Sequence, residues 1–297
     1  MKYMTAAEAA AKWGISERSV RNYCSLGRVA GAVRCGAAWK LPEDAEKPQR
    51  ANGSAARQIG LLETLKREKK AGISGGIYHK VQIELTYSSN HIEGGSLSHE
   101  QTRYIFETNT LETDGGPVRA DDVIETANHF RCIDAVIEQA RRPLSEALIK
   151  RLHLILKSGT SESRRGLFAA GEYKKLPNDA GGVETAPPEE TAERVKRLLA
   201  GYEGARGAKT LDCLLDFHYR FERIHPFQDG NGRVGRLILF KECLRHGAVP
   251  FIIDDGLRMY YYRGLSKWEH ERGRLRDTCL TAQDRFKTYL DYFRIPY

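Results

Sequence analysis

The sequence predicts a mainly α-helical chain in two parts: a small basic module of two helices and a hairpin, then a long helical bundle interrupted by one short β-hairpin. Three observations predict it. From residue 61 nearly to the end, apolar residues recur at helical spacing in segment after segment. No run of strands alternates with those segments, so a doubly wound sheet is not expected. Residues 42–60 are rich in Pro, Ala, Gly, Ser and charge without periodicity, which reads as a linker. The expected boundaries are 1–45 for the module, 46–60 for the linker and 61–297 for the bundle.

Thr5-Ala6-Ala7-Glu8 is a capping box that opens a helix to about Trp13. Gly14-Ile15 turns the chain, Ser16 caps a second helix to about Leu26, and Gly27 ends it. Residues 29–34 and 38–41 read as two short strands around Cys35-Gly36. This order describes a winged helix-turn-helix, with Arg18, Arg21 and Asn22 pointing outward from the second helix toward a major groove. The stretch resembles the excisionase and MerR-like DNA-binding fold. The resemblance implies DNA as a partner of residues 1–45. Charge agrees: residues 1–40 hold Lys2, Lys12, Arg18, Arg21, Arg28, Arg34 and Lys40 against Glu8 and Glu17, most of the chain's net +8.

Beyond the linker, helices are expected at 61–70, 78–93, 99–108, 121–139, 145–156, 189–202, 211–223, 233–246 and 258–274. One stretch breaks the run. Gly171-Glu172-Tyr173-Lys174-Lys175-Leu176-Pro177-Asn178, followed by Gly181-Gly182-Val183-Glu184, reads as a hairpin ending in Pro187-Pro188.

Composition narrows the functional classes. The chain has 297 residues, 41% of them hydrophobic, enough for a sizeable core. No uninterrupted apolar window is long enough to span a membrane, so no membrane partner is expected. Glu8 and Lys12 stand where a signal peptide needs an apolar run, so export is not expected. No two of the six cysteines are spaced C-x-x-C, so reduced thiols in a cytoplasmic protein are expected rather than a zinc site.

The chemistry concentrates in one stretch, HPFQDGNGRVGR, from His225 to Arg236. It contains the letters G-x-G-x-x-G of a dinucleotide fingerprint. That fingerprint needs a preceding strand, and here Leu211, Leu214, Leu215, Phe217, His218 and Phe221 mark a helix. No Lys-Ser/Thr pair follows, so it is not a Walker A loop either. The physical reading is a helix, a loop and a second helix. Gly230 and Gly232 let backbone N–H groups converge on one point, and the next helix adds its free N–H groups and dipole. Arg233 and Arg236 share a face of its first turn and suit more than one phosphate. Asp229 suits a Mg²⁺ that bridges phosphates. His225, titratable near neutrality, suits a general base.

His225-Pro226-Phe227-x-Asp229-Gly230-Asn231-Gly232-Arg233-x-x-Arg236 resembles the motif H-x-F-x-[D/E]-G-N-G-R-x-x-R of Fic-domain proteins, which mostly transfer AMP from ATP to a protein hydroxyl. The resemblance implies a Fic-type helical bundle with a β-hairpin flap. In it His225 deprotonates the target hydroxyl and Phe227 anchors the loop. Asp229 holds Mg²⁺, Gly230, Asn231 and Gly232 line the anion hole, and Arg233 and Arg236 take the outer phosphates. The flap implies a target clamp at Tyr173, Lys174 and Lys175, and Tyr260-Tyr261-Tyr262 implies a residue near the adenine. Ser89-Asn90-His91-Ile92-Glu93-Gly94 resembles the family's inhibitory signature [S/T]-x-x-x-E-[G/N], on a helix of about 78–94 that precedes the catalytic core. That implies Ser89, Glu93 and Gly94 as inhibitory residues, with Glu93 paired to Arg236. Physics concurs in part, because a carboxylate at a helix C-terminus calls for a cation. The partners so implied are ATP and a target protein that the sequence does not name, the chain itself being one candidate, and inhibition across a homodimer is compatible with the reading. The alternatives are a DNA-binding regulator whose Fic part senses nucleotide, a Fic transferase with another donor, and the reverse reaction in which AMP is removed.

Overall fold

The computed structural model describes residues 3–25, 29–36, 38–48, 59–113, 116–165, 168–180, 182–205, 207 and 209–297. The chain divides into two compact units, Met1–Gln58 and Ile59–Tyr297.

The first unit contains β1 (Tyr3–Thr5), α1 (Ala6–Trp13), α2 (Glu17–Ser25), β2 (Val33–Cys35) and β3 (Ala38–Pro42). The capping box forms: the Glu8 N–H donates to Thr5 Oγ1 at 3.2 Å, and the Thr5 N–H donates to Glu8 Oε2 at 2.7 Å. Gly14 closes α1 in the left-handed region at φ 62°. Residues 26–28, with the expected stop at Gly27, lie outside the described residues, as do the side chains of Arg18 and Asn22. Arg21 is exposed and bonded to Glu17 at 2.5 Å. Sequence reading missed β1, which pairs antiparallel with β3 and makes a three-stranded sheet of order β1-β3-β2. Three residues are too few to show alternation, and their partners lie over thirty positions away. The first strand of the hairpin is also shorter than expected. Met4, Ala9, Val20 and Leu41 form this unit's core.

The second unit is a helical bundle: α3 (Leu61–Ala71), α4 (Ile77–Ile92), α5 (His99–Thr108), α6 (Ala120–Gln139), α7 (Glu146–Lys157), a 3₁₀ turn (Glu162–Arg164), β4 (Asp179–Ala180), β5 (Val183–Glu184), α8 (Pro188–Gly204), α9 (Leu211–Ile224), α10 (Asn231–His246), α11 (Asp255–Ser266) and α12 (Arg272–Tyr292). Its axis is α10, which packs against α9, α6, α7 and α4. Burial extends around the whole of this helix, from Asn231 and Arg233 through Phe240 to Leu244. A helix enclosed on every side cannot shift without disturbing the core, so its N-terminus is a rigid platform.

Two expectations need correction. The segment 258–274 is not one helix. It spans the end of α11 and the start of α12, and α12 runs on to Tyr292. The break carries no Gly or Pro. It is made by packing: Trp268 is buried and donates its indole N–H to Asp216 at 3.1 Å. Gly264 then lets α11 lie against α12, because a Cβ there would stand 2.7 Å from Leu275 Cα. The flap hairpin is smaller than expected. Its strands are two residues each, with Asp179 opposite Glu184, and 171–178 approaches them without strand structure.

Candidate active site

His225 terminates α9. It adopts the left-handed conformation at φ 50°, and its N–H donates to Phe221 O at 2.9 Å. For a non-glycine residue this conformation is unfavourable, so the surroundings must impose it. They do so through the next residues. Phe227 is completely buried and stacks on His153 at 3.9 Å between ring centroids. Asn231, on the first turn of α10, reaches back to Phe227: its Oδ1 accepts from the Phe227 N–H at 2.8 Å and its Nδ2 donates to Phe227 O at 2.7 Å. The loop is thus pinned at its middle. Gly230 takes φ 79°, where a Cβ would press on Leu156 Cδ2 at 3.3 Å.

The imidazole of His225 is half-buried, with Nδ1 at 3.3 Å from Glu222 O. A carbonyl only accepts, so Nδ1 carries the hydrogen and Nε2 keeps its lone pair. Burial holds the His225 pKa below its ordinary value, against the pull of that carbonyl. The ring is therefore neutral at physiological pH, as a base requires.

Two arginines project from α10. Arg236 is buried and held through its Nε and Nη2. Its Nη2 donates to Glu93 Oε1 at 2.7 Å and to Ser89 O at 2.9 Å, and its Nε donates to Ser89 Oγ at 3.0 Å. Glu93 is the C-cap of α4, and Gly94 follows at φ 86°. The Glu93 carboxylate lies over the start of α10: a Cβ on Gly232 would stand 2.3 Å from Glu93 Oε1. A carboxylate is itself an anion, so Glu93 sits against the helix end that would receive a phosphate. Arg233 bonds Glu125 and, at 3.1 Å, Asp229 Oδ2. Its Nε–H has no partner among the described residues.

Asp229 also accepts from Lys157 Nζ at 2.6 Å. Burial pushes the Asp229 carboxyl up, but Arg233 and Lys157 outweigh it and hold it well below the usual range. It is an ionised, half-exposed oxygen donor. Among the described residues no group of three or more His, Cys, Asp and Glu side chains is placed to hold a metal. A single carboxylate nevertheless fits Mg²⁺ that arrives on a nucleotide, since that ion takes one or two carboxylates and completes its shell with phosphates and water. Glu93, Glu125, Lys157, Asp229, Arg233 and Tyr87 face a common cavity of about 320 Å³.

The expected flap residues divide. Tyr173 is half-buried, its ring 5.8 Å from Phe227. Lys174 is buried. Its Nζ donates to Asn178 Oδ1 and Thr185 Oγ1, both at 2.7 Å, and its N–H donates to Pro226 O at 2.9 Å. That backbone donor is spent on the loop between α9 and α10 and is not available to an added strand. Lys175 is exposed. Of the three tyrosines, Tyr261 is buried with its hydroxyl 2.6 Å from His218 Nε2, whereas Tyr260 and Tyr262 are exposed.

Sequence reading missed Glu125, Lys157, His153 and Glu222. His153 Nε2 meets Asp229 O at 3.1 Å and its Nδ1 accepts the Gly171 N–H at 2.9 Å, so it ties both the loop and the approach to the flap. Glu222 is enclosed, and burial raises its carboxyl to about 8. None of these belongs to a local pattern; Glu222 lies three residues before His225 on α9, and only assembly of distant helices brings the other three to the site.

Burial also lowers His129, His153 and His218 from 6.5 to about 3, with neighbouring cations adding to the effect. The unfolded chain therefore binds more protons between those values. This contribution to stability is complete above pH 6.5 and is lost as pH falls toward 3. The expected loss by about pH 5 is about 2 kcal/mol per imidazole. Urea denaturation at neutral and mildly acidic pH measures it; equal midpoints at both would refute it.

The geometry has counterparts among known proteins. Residues 143–242 match the model of the Fic/DOC family. A protein adenylyltransferase Fic from Drosophila grimshawi is 28% identical over 208 residues, 68% of this chain and 39% of that protein. The chain thus spans well under half the length of the curated relatives it matches. Among solved structures, a Fic domain-containing signaling protein from Bacteroides thetaiotaomicron superposes with a TM-score of 0.58 at 27% identity, covering 79% of this chain and 86% of that one. A Fic-1 segment from C. elegans superposes with a TM-score of 0.59 at 20% identity, covering 77% of this chain and 71% of that one, a likeness of fold.

Proposed function

We propose that the chain is a nucleotidyltransferase that moves AMP from ATP to a hydroxyl side chain of a target protein and is held back by Glu93. The observation that carries this reading is the assembly at one helix end of a neutral imidazole with Nε2 free, two buried guanidinium groups and an ionised Asp229. The similarity to protein adenylyltransferases Fic supports the donor and the reaction class.

In this mechanism His225 Nε2 takes the proton of the target hydroxyl as its oxygen attacks the α-phosphorus. An O–P bond forms, the bond from the α-phosphorus to the bridging oxygen breaks, and pyrophosphate leaves. The N–H groups of Gly230, Asn231 and Gly232 and the end of α10 stabilise the developing charge. Arg233 and Arg236 hold the outer phosphates and keep the chain of atoms in line. Asp229 would hold Mg²⁺, which when bound neutralises phosphate charge. While Glu93 engages Arg236, the γ-phosphate lacks that clamp, and ATP lies in a pose unsuited to in-line attack.

The test incubates the protein and its Glu93→Gly variant with Mg²⁺ and ATP labelled at either the α- or the γ-phosphate, and the variant, freed of the restraint, decides the outcome. Label on protein from the α-position alone is the expected result. Label from the γ-position would make it a kinase, and no label on any protein from either would overturn AMP transfer. Loss of label from an AMP-modified protein would indicate the reverse reaction.

A second reading concerns residues 1–45. Two helices joined at Gly14, a sheet with a two-strand wing, and an exposed Arg21 on α2 support a winged helix-turn-helix that binds DNA. A regulator that only sensed nucleotide would retain DNA binding and leave no label on protein. No described helix is long and apolar enough to cross a membrane, and all six cysteines are free, which supports a reducing compartment such as the cytoplasm.

A further inference from the structure

Beside the site lies a closed ring of four charged side chains. Asp229 Oδ2 accepts from Lys157 Nζ at 2.6 Å and from Arg233 at 3.1 Å. Glu125 Oε1 accepts from Lys157 Nζ at 2.5 Å, and its Oε2 accepts from Arg233. Two cations and two carboxylates alternate around the cycle. Glu162 adds a third carboxylate to Lys157 at 2.8 Å. The Lys157 side chain is 7% exposed and that of Glu125 12%, whereas that of Asp229 is 47% exposed. All four ring members border the cavity, and Asp229 is the one corner that is not largely buried.

This arrangement exceeds what neutralising Asp229 requires, because Arg233 already contacts it. Burying a lysine is costly unless its ammonium keeps its partners, and Lys157 has three. If Asp229 turns to another cation, Glu125 and Glu162 still satisfy Lys157, so leaving Asp229 strands no charge. A hard divalent cation on Asp229 would share one carboxylate with the Lys157 ammonium and the Arg233 guanidinium, whose like charges oppose its binding.

We propose that Lys157 is a positioning residue that occupies Asp229 as a built-in cation and competes with the divalent ion for it, with Glu125 and Glu162 as its fallback partners. The proposal rests on the reading of Asp229 as the carboxylate that holds the metal. Before nucleotide arrives, Lys157 keeps Asp229 from repelling phosphate. Afterwards it sets how strongly the metal contributes to nucleotide binding.

The test is calorimetric titration of ADP into the full chain with and without Mn²⁺. The ratio of the two affinities is the metal's contribution. Lys157→Met is expected to raise that ratio on the order of tenfold. Lys157→Met/Glu125→Gln keeps the local charge balance and is expected to show the same rise should the single variant fold poorly. Lys157→Arg is expected to return the ratio toward wild type. A damaged fold would not strengthen the metal's grip, so a rise separates competition from a structural role. A ratio unmoved or lowered in both Lys157→Met proteins, but lost in Asp229→Asn, overturns the proposal alone. An Asp229→Asn ratio equal to wild type overturns the metal reading of Asp229 and the proposal with it.

Discussion

Glu93→Gly is expected to raise AMP incorporation by roughly ten- to 150-fold, because a charge-assisted hydrogen bond to a buried group contributes about 1.5–3 kcal/mol and each 1.4 kcal/mol is a factor of ten. In the resting protein, Glu93 Oε1 holds Arg236 at 2.7 Å. Its carboxylate also stands over Gly232, against the end of α10. On the proposed reading, removing it frees Arg236 to clamp a phosphate and vacates an anion position in one substitution. The change has a second expected consequence. Arg236 keeps Ser89 but loses its counter-charge, and an uncompensated buried charge costs about 3–5 kcal/mol. The variant should therefore melt earlier than wild type, and ATP should recover more of its stability than it adds to wild type. Relief of a carboxylate at the C-terminus of α4 offsets only a small part, about 0.3–1 kcal/mol. Unchanged incorporation in a folded Glu93→Gly protein would refute restraint by Glu93.

His225 substitutions are expected to lower incorporation on the order of 10²–10⁴-fold in the Glu93→Gly background, the usual contribution of a positioned general base. His225 supplies no clamp for the phosphates, so ATP should stabilise the doubly substituted protein as much as it does Glu93→Gly alone. Asn is the better replacement than Ala. The position lies at φ 50°, and Asn visits the left-handed region more readily than other non-glycine residues. Loss of transfer in His225→Asn with ATP stabilisation intact places the defect in proton removal. Incorporation within a few-fold of the parent would remove His225 from the reaction. Equal loss of ATP stabilisation would instead assign it to the loop's shape.

The helices of the bundle were largely legible because periodicity is a local signal. Burial along α6 and α9 follows the spacing of their apolar residues. The exceptions share a cause. The division of α11 from α12 depends on Trp268 meeting Asp216, some fifty residues away. β1 exists because β3 offers it a partner. In the flap, Lys174 is spent on Asn178, Thr185 and the loop between α9 and α10, a fate that its charge did not suggest.

At the site, the sequence by itself determined the twelve residues from His225 to Arg236. Their chemistry depends on backbone conformation and on neighbours within one helical turn. The left-handed turns at His225 and Gly230, the Asn231 clasp on Phe227 and the two arginines on one face are all short-range. Tertiary structure alone decided what each charge faces. Glu93 lies 143 positions from Arg236, Glu125 lies 108 from Arg233, and Lys157 lies 72 from Asp229. The energy of a buried ion pair depends on distance and desolvation in three dimensions, neither of which leaves a periodic trace in the chain. The resemblance of residues 89–94 to an inhibitory signature anticipated the first of those pairs. Nothing local announced the ring that Glu125 and Lys157 close, because their helices each present a single charged side chain to a point where α6, α7 and α10 meet.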